Sequence, residues 1–271
     1  MKKSKKKLLI LLLLCAMSCL FMAHRDADAA KTSYTIYVNR RSNIVNVVNN
    51  RTKNVVRAMY CSTGKRYRTP RGTFHTYQKL RWHALFGGVY GQYCVRFRGS
   101  YLFHSVPYYS VNKKKVETKE YNKLGKQASK GCIRLAVVDA KWLYNNCKLG
   151  TKVVIGESRK MKKPKRNLLK ISTKKKSGWD PTDPDSKNPY YPTLKLKKKS
   201  YKRVKKDSIF DPLAVIKVSS RFTDKETLLE KVTVSGKVNT AKAGSYKISY
   251  YLTDPATLLR KKLTVTFKVV E

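Results

Sequence analysis

A thiol and an imidazole are the side chains in this sequence with the widest chemical reach. Cys132 stands in Ser129-Lys130-Gly131-Cys132-Ile133-Arg134-Leu135, a short turn of small and polar residues flanked by the cations Lys130 and Arg134. Cations and unpaired backbone N–H groups draw a thiol toward its thiolate, so the local sequence predicts a lowered pKa and a nucleophile. A thiol nucleophile works with a base, and the chain beyond its first thirty residues offers His75, His83 and His104. His104 closes the apolar run Tyr101-Leu102-Phe103 and precedes Ser105 and Pro107. That places it at a strand end, where a rigid scaffold presents reactive groups. Together Cys132 and His104 would form a nucleophile–base dyad; from composition alone, a disulfide cysteine and a core-edge histidine stay open as readings.

The remaining candidates are weaker. Cys61 and Cys94 fall on strands read as neighbours and are a candidate disulfide, while Cys147 is expected on the buried face of a helix. No Cys-x2-Cys or His-x3-His spacing supports a metal site at His75 and His83. Trp82, Tyr90, Tyr93, Tyr101, Tyr108 and Tyr109 would line a binding groove or, as aromatics in a β domain mostly do, fill the core.

The elements that must position these groups are strands. Tyr34, Ile36 and Val38 lead through a polar turn at residues 39–43 into Ile44 to Val48, a hairpin pattern. Further β-branched or aromatic runs occupy 55–61, 73–78, 93–97 and 101–104, punctuated by glycine and proline. Ala140, Leu143, Tyr144 and Cys147 instead recur at helical spacing, with Asp139 at the start and Lys148 and Gly150 at the stop, so one short helix is expected before a last strand at 152–155. The first domain is read as residues 30–156. Residues 157–205, with lysine clusters around Trp179-Asp180-Pro181-Thr182-Asp183-Pro184 and a second proline stretch, read as an extended basic linker, either a solvated tether or one packed locally through Trp179 and the tyrosines. From 206 to 271 alternation returns strictly in Tyr246, Ile248, Tyr250, Leu252 and in Leu263, Val265, Phe267, Val269, the pattern of a small antiparallel sandwich.

The 271 residues carry 61 Lys+Arg against 16 Asp+Glu, a formal charge of +45. The excess is graded, at +22 for 30–156, +14 for 157–205 and +5 for 206–271. Such a balance implies polyanionic surroundings. Lys2, Lys3 and Lys5 to Lys7, an uncharged run from Leu8 to Ala23 and the small-x-small site Ala27-Asp28-Ala29 read as a signal peptide over 1–29. Export to the wall or the extracytoplasmic membrane face is therefore expected, with membrane attachment only through an uncleaved signal. Export argues against a specific nucleic-acid target, and phosphate-rich wall polymers, acidic lipid headgroups and stray nucleic acid are the candidate polyanions.

Phe103-His104-Ser105 and the downstream Ser129 to Leu135 motif, with Ser62-Thr63-Gly64 and Thr69-Pro70-Arg71-Gly72-Thr73-Phe74 upstream, resemble the L,D-transpeptidase catalytic domain, the YkuD type, over about residues 32 to 156. The C-terminal stretch resembles bacterial surface immunoglobulin-like modules through Val238-Asn239-Thr240, Ala243-Gly244-Ser245-Tyr246 and the closing strand. The resemblance implies a mainly β fold, an L,D-transpeptidase-type β-sandwich with one short helix plus a small C-terminal immunoglobulin-like sandwich. It also implies that Cys132 attacks the third, diamino residue of a peptidoglycan stem tetrapeptide, D-alanine leaves, and an amine of a second stem resolves the thioester into a 3–3 cross-link. His104 would be the base and Ser105, by backbone or side chain, its orienter. The N–H groups of Lys130, Gly131 and Cys132 would bind the oxyanion within the loop that Ser129 opens, and Arg134 would hold that loop or a substrate carboxylate. No metal or cofactor is implied, and carbapenems should acylate the same thiol. The alternatives are an L,D-carboxypeptidase using water, or a non-catalytic basic protein that binds wall polymers. Two departures stand out: Lys130 occupies the position where the commonest motif has histidine, and the 28-position interval from His104 to Cys132 is long. Its excess, Tyr108 to Gly125, is expected to form a flap over substrate or a mobile solvated loop.

Overall fold

The computed structural model describes residues 32–271, so the signal segment 1–29 and its cleavage lie outside the described residues. The chain divides into two compact units. One takes the described residues up to Pro107 with Lys123–Leu135 and Asp139–Lys165; the other takes Tyr108–Asn122, Ala136–Val138 and Arg166–Glu271.

The first unit is built on β1 (Tyr34–Asn39), β2 (Ile44–Asn49), β3 (Val55–Ser62), β4 (Gly72–His75), β5 (Gln78–Leu85), β6 (Val89–Arg98) and β7 (Tyr101–Ser105). A short strand of the second unit, β8 (Val116–Glu117), intervenes in the chain before β9 (Ile133–Leu135) and β10 (Lys152–Gly156). Nine strands join in the order β4-β10-β1-β2-β3-β9-β7-β6-β5. The expected hairpin forms between β1 and β2, and its turn is closed by Asn39, whose Oδ1 accepts the amides of Arg41 and Ser42 at 2.9 Å each. β10 runs parallel to β1, and β9 runs parallel to β7. Ile36, Val45, Val47, Met59, Phe103, Ile133, Leu135 and Val153 are buried, so the central strands have little solvent face, as parallel pairing demands.

The helix spans Val137–Asn146, three residues earlier at its start than the spacing of apolar residues predicts. Leu143 and Cys147 are buried as expected. Trp142 meets Tyr34 of β1 and Tyr144 meets Tyr93 of β6, so its aromatic face seals strands from both halves of the sheet. Arg57 donates to the buried Asp139 carboxylate at 2.7 Å, which compensates the burial of that charge.

β5 has no counterpart among the expected strands. Leu80, Trp82 and Ala84 alternate along it, yet the intervening Lys79 and Arg81 disguise the pattern. Those cations lie on aromatic faces, Arg81 3.9 Å from the Tyr93 ring centroid and Lys79 5.4 Å from that of Tyr144. A stacked cation packs its stem like an apolar residue, so this edge strand pairs with β6 despite its charge.

In the second unit, residues 166–205 depart from the extended linker. β11 (Ser177–Gly178) pairs with β8, Thr118 Oγ1 donates to the Lys175 carbonyl at 2.8 Å, Asn122 clasps Ile171 through both side-chain atoms, and Lys113 bridges Asp185 at 2.7 Å. The stretch expected as a substrate flap is thus mostly taken up elsewhere: Tyr108–Asn122 packs with the linker, where Tyr108, Val116 and Tyr121 find burial. The aspartates supply the rest of the order. Asp180 accepts the amides of Val137 and Thr182 and the Thr182 hydroxyl, and Asn188 donates to the carbonyls of Asp180 and Asp183. Side chains that satisfy the backbone let a proline-rich segment hold shape without ladders. The expected local packing of the tyrosines is present, Tyr190 against Phe222 and Tyr191 on the Pro184 carbonyl.

The C-terminal part completes that unit with β12 (Thr193–Leu196), β13 (Arg203–Lys205), β14 (Ile216–Ser219), β15 (Val232–Ser235), β16 (Gly244–Thr253) and β17 (Arg260–Val270). β12 pairs with β14, and β13-β17-β16-β15 form the second sheet. Ile248, Tyr250, Leu252, Val265, Phe267 and Val269 all point into one core, with Leu194, Ile216 and Val218 from the smaller sheet against them. The alternation read from the sequence is the alternation observed.

Candidate active site

β7 and β9 set the site. Their parallel register pairs Phe103 with Ile133 and His104 with Arg134. Residues two apart on a strand share a face. Cys132, two before Arg134, is thereby brought to the face that carries Leu102 and His104. All four line one cleft of about 550 Å³, within the range of small-molecule and peptide pockets.

The turn that presents Cys132 is fixed by side-chain hydrogen bonds to its own backbone. Ser129 Oγ donates to the Cys132 carbonyl at 2.6 Å and accepts the Gly131 amide at 3.0 Å. Thr69 Oγ1 donates to the Gly131 carbonyl at 2.7 Å and accepts the Gly64 amide at 2.8 Å, tying the Ser-Thr-Gly and Thr-Pro segments to the thiol turn. The Thr63 carbonyl accepts the amides of Ala128 and Ser129. Gly131 has φ +141, and a Cβ there would lie 2.7 Å from the Tyr101 ring, so glycine is required on two counts.

His104 is buried and its Nδ1 lies 2.5 Å from the Ser105 carbonyl. A carbonyl only accepts, so Nδ1 carries the proton and Nε2 keeps its lone pair. The orienting group at Ser105 is therefore the backbone. Its hydroxyl accepts the Gln92 amide and donates to Val106, bracing β7 against β6. Gly91 on β6 clears the space for the ring, since a Cβ there would stand 3.0 Å from His104.

Electrostatics correct the expectation of a lowered thiol pKa. Burial pushes the Cys132 thiol up, and the Leu102 N–H, Arg134 and Arg96 only partly oppose it. Burial, with Arg134 and then His83 adding repulsion against the Ser105 hydrogen bond, drives His104 down to about 3. Both groups are neutral at physiological pH, so the resting pair is a thiol and an imidazole rather than a preformed ion pair.

The other expected site residues distribute unevenly. Gly131 donates its amide to Ser129, which takes one of three expected oxyanion donors out of reach in this state. The Lys130 ammonium lies 3.8 Å from the centroid of the exposed Phe86 ring at the β5–β6 turn. Arg134 lines the cleft and donates to the Ala128 carbonyl at 3.4 Å, holding the loop. Of the six aromatics, Tyr101 alone is among the residues lining the cleft, whereas Tyr93 and Tyr108 are core. Cys61 and Cys94 are free thiols on β3 and β6, separated by β9 and β7, so the candidate disulfide is absent. The sequence reading missed Arg68, Arg96 and His83 as cleft residues; His83 and Arg96 face each other across the hairpin formed by the unexpected β5, and pairing His83 with Gly91 across the Gly87-Gly88 turn was the available signal.

The fold and the site define a cysteine–histidine domain on a mixed β-sheet, followed by a β-sandwich. Residues 33–155 match the family model of the L,D-transpeptidase catalytic domain, YkuD, and residues 195–266 match that of the bacterial surface protein Ig-like domain. The chain thus carries a YkuD L,D-transpeptidase catalytic domain and a C-terminal bacterial Ig-like domain. It is similar to a Bacillus subtilis (strain 168) protein named "Putative L,D-transpeptidase YciB", 42% identical over 110 residues, which are 38% of this chain and 56% of that one. Among solved structures it is similar to LD transpeptidase LdtMt1 in complex with imipenem, at 25% identity and TM-score 0.38 over 46% of this chain and 59% of that one. It is also similar to an L,D-transpeptidase from Mycobacterium smegmatis, at 23% identity and TM-score 0.38 over 46% and 58%. The chain spans less than two thirds of the length of each of these relatives.

Proposed function

We propose that the protein is an exported L,D-transpeptidase that forms 3–3 peptidoglycan cross-links through a thioester on Cys132. The observation that carries this reading is the cleft itself, whose lining holds both Cys132, its thiol donating to the Ser100 carbonyl at 3.6 Å, and a buried His104 whose Nδ1–H is held by the Ser105 carbonyl. His104 Nε2 takes the thiol proton as sulfur bonds to the carbonyl carbon of the donor's third residue. The oxyanion is met by the N–H groups of Lys130 and Cys132, each well-placed donor contributing about 3 kcal/mol. Collapse breaks the C–N bond, and D-alanine leaves with the proton that His104 returns. A stem amine then attacks the thioester, His104 accepts the amine proton, and the thiol is restored.

Arg68, Arg96, Lys130 and Arg134 make the cleft cationic, with no Asp or Glu among its lining residues, which favours a substrate rich in carboxylates. The graded positive charge of the chain supports retention on anionic wall polymers. The imipenem complex of LdtMt1 supports carbapenem acylation here. Incubation with a disaccharide-tetrapeptide tests the reading: release of D-alanine with a cross-linked dimer is expected. Release of D-alanine with tripeptide alone would replace it by the carboxypeptidase, and no turnover by the binding protein.

A further inference from the structure

We propose that His83 is a second working imidazole of this site, a neutral donor whose Nδ1–H contacts the oxyanion formed when Cys132 attacks its acyl donor. The inference rests on the reading of Cys132 as the acylated nucleophile, and it adds a residue that motif and family comparison leave unassigned.

His83 projects from β5 into the same cleft as Cys132 and His104. Its Nε2 lies 3.1 Å from Arg96 Nη2. A guanidinium only donates, so Nε2 is the acceptor and Nδ1 bears the hydrogen. Arg96 cannot swing away easily, because its Nε donates to Gln78 Oε1 at 2.8 Å and its Nη1 to the Gly99 carbonyl at 2.6 Å. A cation anchored at two other points therefore fixes the tautomer of His83. Across the hairpin His83 pairs with Gly91, the residue whose missing Cβ makes room for His104. The two imidazoles thus belong to one small construction of β5, β6 and β7.

The charges around His83 keep it neutral. Arg96 faces it from β6, and the cleft presents Arg68, Lys130 and Arg134 from the other elements, with the neutral His104 on β7 and no carboxylate. Burial and Arg96 accordingly hold its pKa below the ordinary histidine value. A proton that cannot be lost to a neighbouring base and a ring that resists a second proton make a steady hydrogen-bond donor. The site has a use for one. Ser129 occupies the Gly131 amide, so the thiol loop offers the oxyanion fewer donors than its three consecutive amides suggest. In the step itself His83 keeps its proton: sulfur bonds to carbon, the carbonyl π pair moves to oxygen, the thiol proton goes to His104, and His83 only shares its N–H.

The test is the single-turnover rate and the saturation constant of acylation by a tetrapeptide donor or meropenem, in full-length protein, for His83→Ala, His83→Asn and His83→Gln. The asparagine amide falls near the Nδ1 position and the glutamine amide near Nε2. Loss of one oxyanion donor should slow acylation on the order of a hundredfold in His83→Ala, with the saturation constant little changed. His83→Asn should recover most of that loss and His83→Gln little. Equal rates for His83→Ala and wild type, equal impairment of Ala and Asn, or a loss confined to the saturation constant would each overturn the proposal. Arg96→Gln gives a second readout by nitrogen NMR of the ring: His83 should titrate nearer its ordinary value than in wild type, and an unmoved titration would remove Arg96 from its role. If wild type takes up no acyl group at all, the nucleophile reading has failed; if wild type reacts and His83→Ala matches it, only this inference has.

Discussion

The two β units obey the alternation rule to different degrees, and the difference locates the chemistry. In β17 the buried Val265, Phe267 and Val269 alternate with exposed Thr264, Thr266 and Lys268, and every inward residue is apolar. In β7 four consecutive residues from Leu102 to Ser105 are buried, and two of them, His104 and Ser105, are polar. Burying polar groups costs stability unless hydrogen bonds return it, and here the Ser105 carbonyl, the Gln92 amide and Val106 supply them. The Ig-like strands are covered on one face; β7, like β2, is buried on both, and that burial is where a base is held in a fixed tautomer.

Substitutions can break that contrast. His104→Ala should slow acylation by on the order of a hundredfold to ten-thousandfold, the contribution of a general base, measured as single-turnover rate against a carbapenem. Gly91→Ala should follow, because a methyl 3.0 Å from His104 displaces the ring; misplacement of a reacting group costs up to about a hundredfold, with melting temperature as the control for folding. Phe267→Ala should reverse the pattern. It removes a fully buried ring from the Ig-like core and should destabilise that core by about 3–5 kcal/mol in denaturant unfolding, while acylation stays within error of wild type. An acylation rate that fell with it would show that the two units do not act separately.

The smallest effect is on pH. His104 titrates near 3 in the folded protein against an ordinary value of 6.5, so between those values the unfolded chain binds the extra proton. Stability supplied by keeping it neutral is therefore full above pH 6.5 and lost as pH falls toward 3. His104→Ala should flatten that slope in urea titrations. For the same reason the acylation rate should show no inflection from His104 near pH 6.5, its base form being present throughout.

Local motifs were readable in the sequence and remote ones were not. The thiol turn could be recognised because Ser129, Gly131 and Cys132 are near neighbours whose types alone specify a tight, hydrogen-bonded loop. The pairing of His104 with that loop needed the parallel register of β7 and β9, which family resemblance supplied and spacing did not. β5 escaped because its cations stack on Tyr93 and Tyr144, a tertiary contact that makes charged residues behave as core. His83 was lost with it. The linker misled in the opposite direction: prolines and lysines suggest a tether, while Asp180, Thr182 and Asn188 satisfy its backbone through contacts that include the distant Val137. The raised thiol pKa was also hidden, since the sequence displays Lys130 and Arg134 but not the desolvation of a half-buried thiol.

The most direct test is the intact mass of the protein after incubation with meropenem, beside Cys132→Ala. One added drug mass on the wild type and none on the variant is the predicted result. An adduct that persists in Cys132→Ala, or no adduct on folded and reduced wild type, would contradict the assignment of Cys132 as the acylated nucleophile.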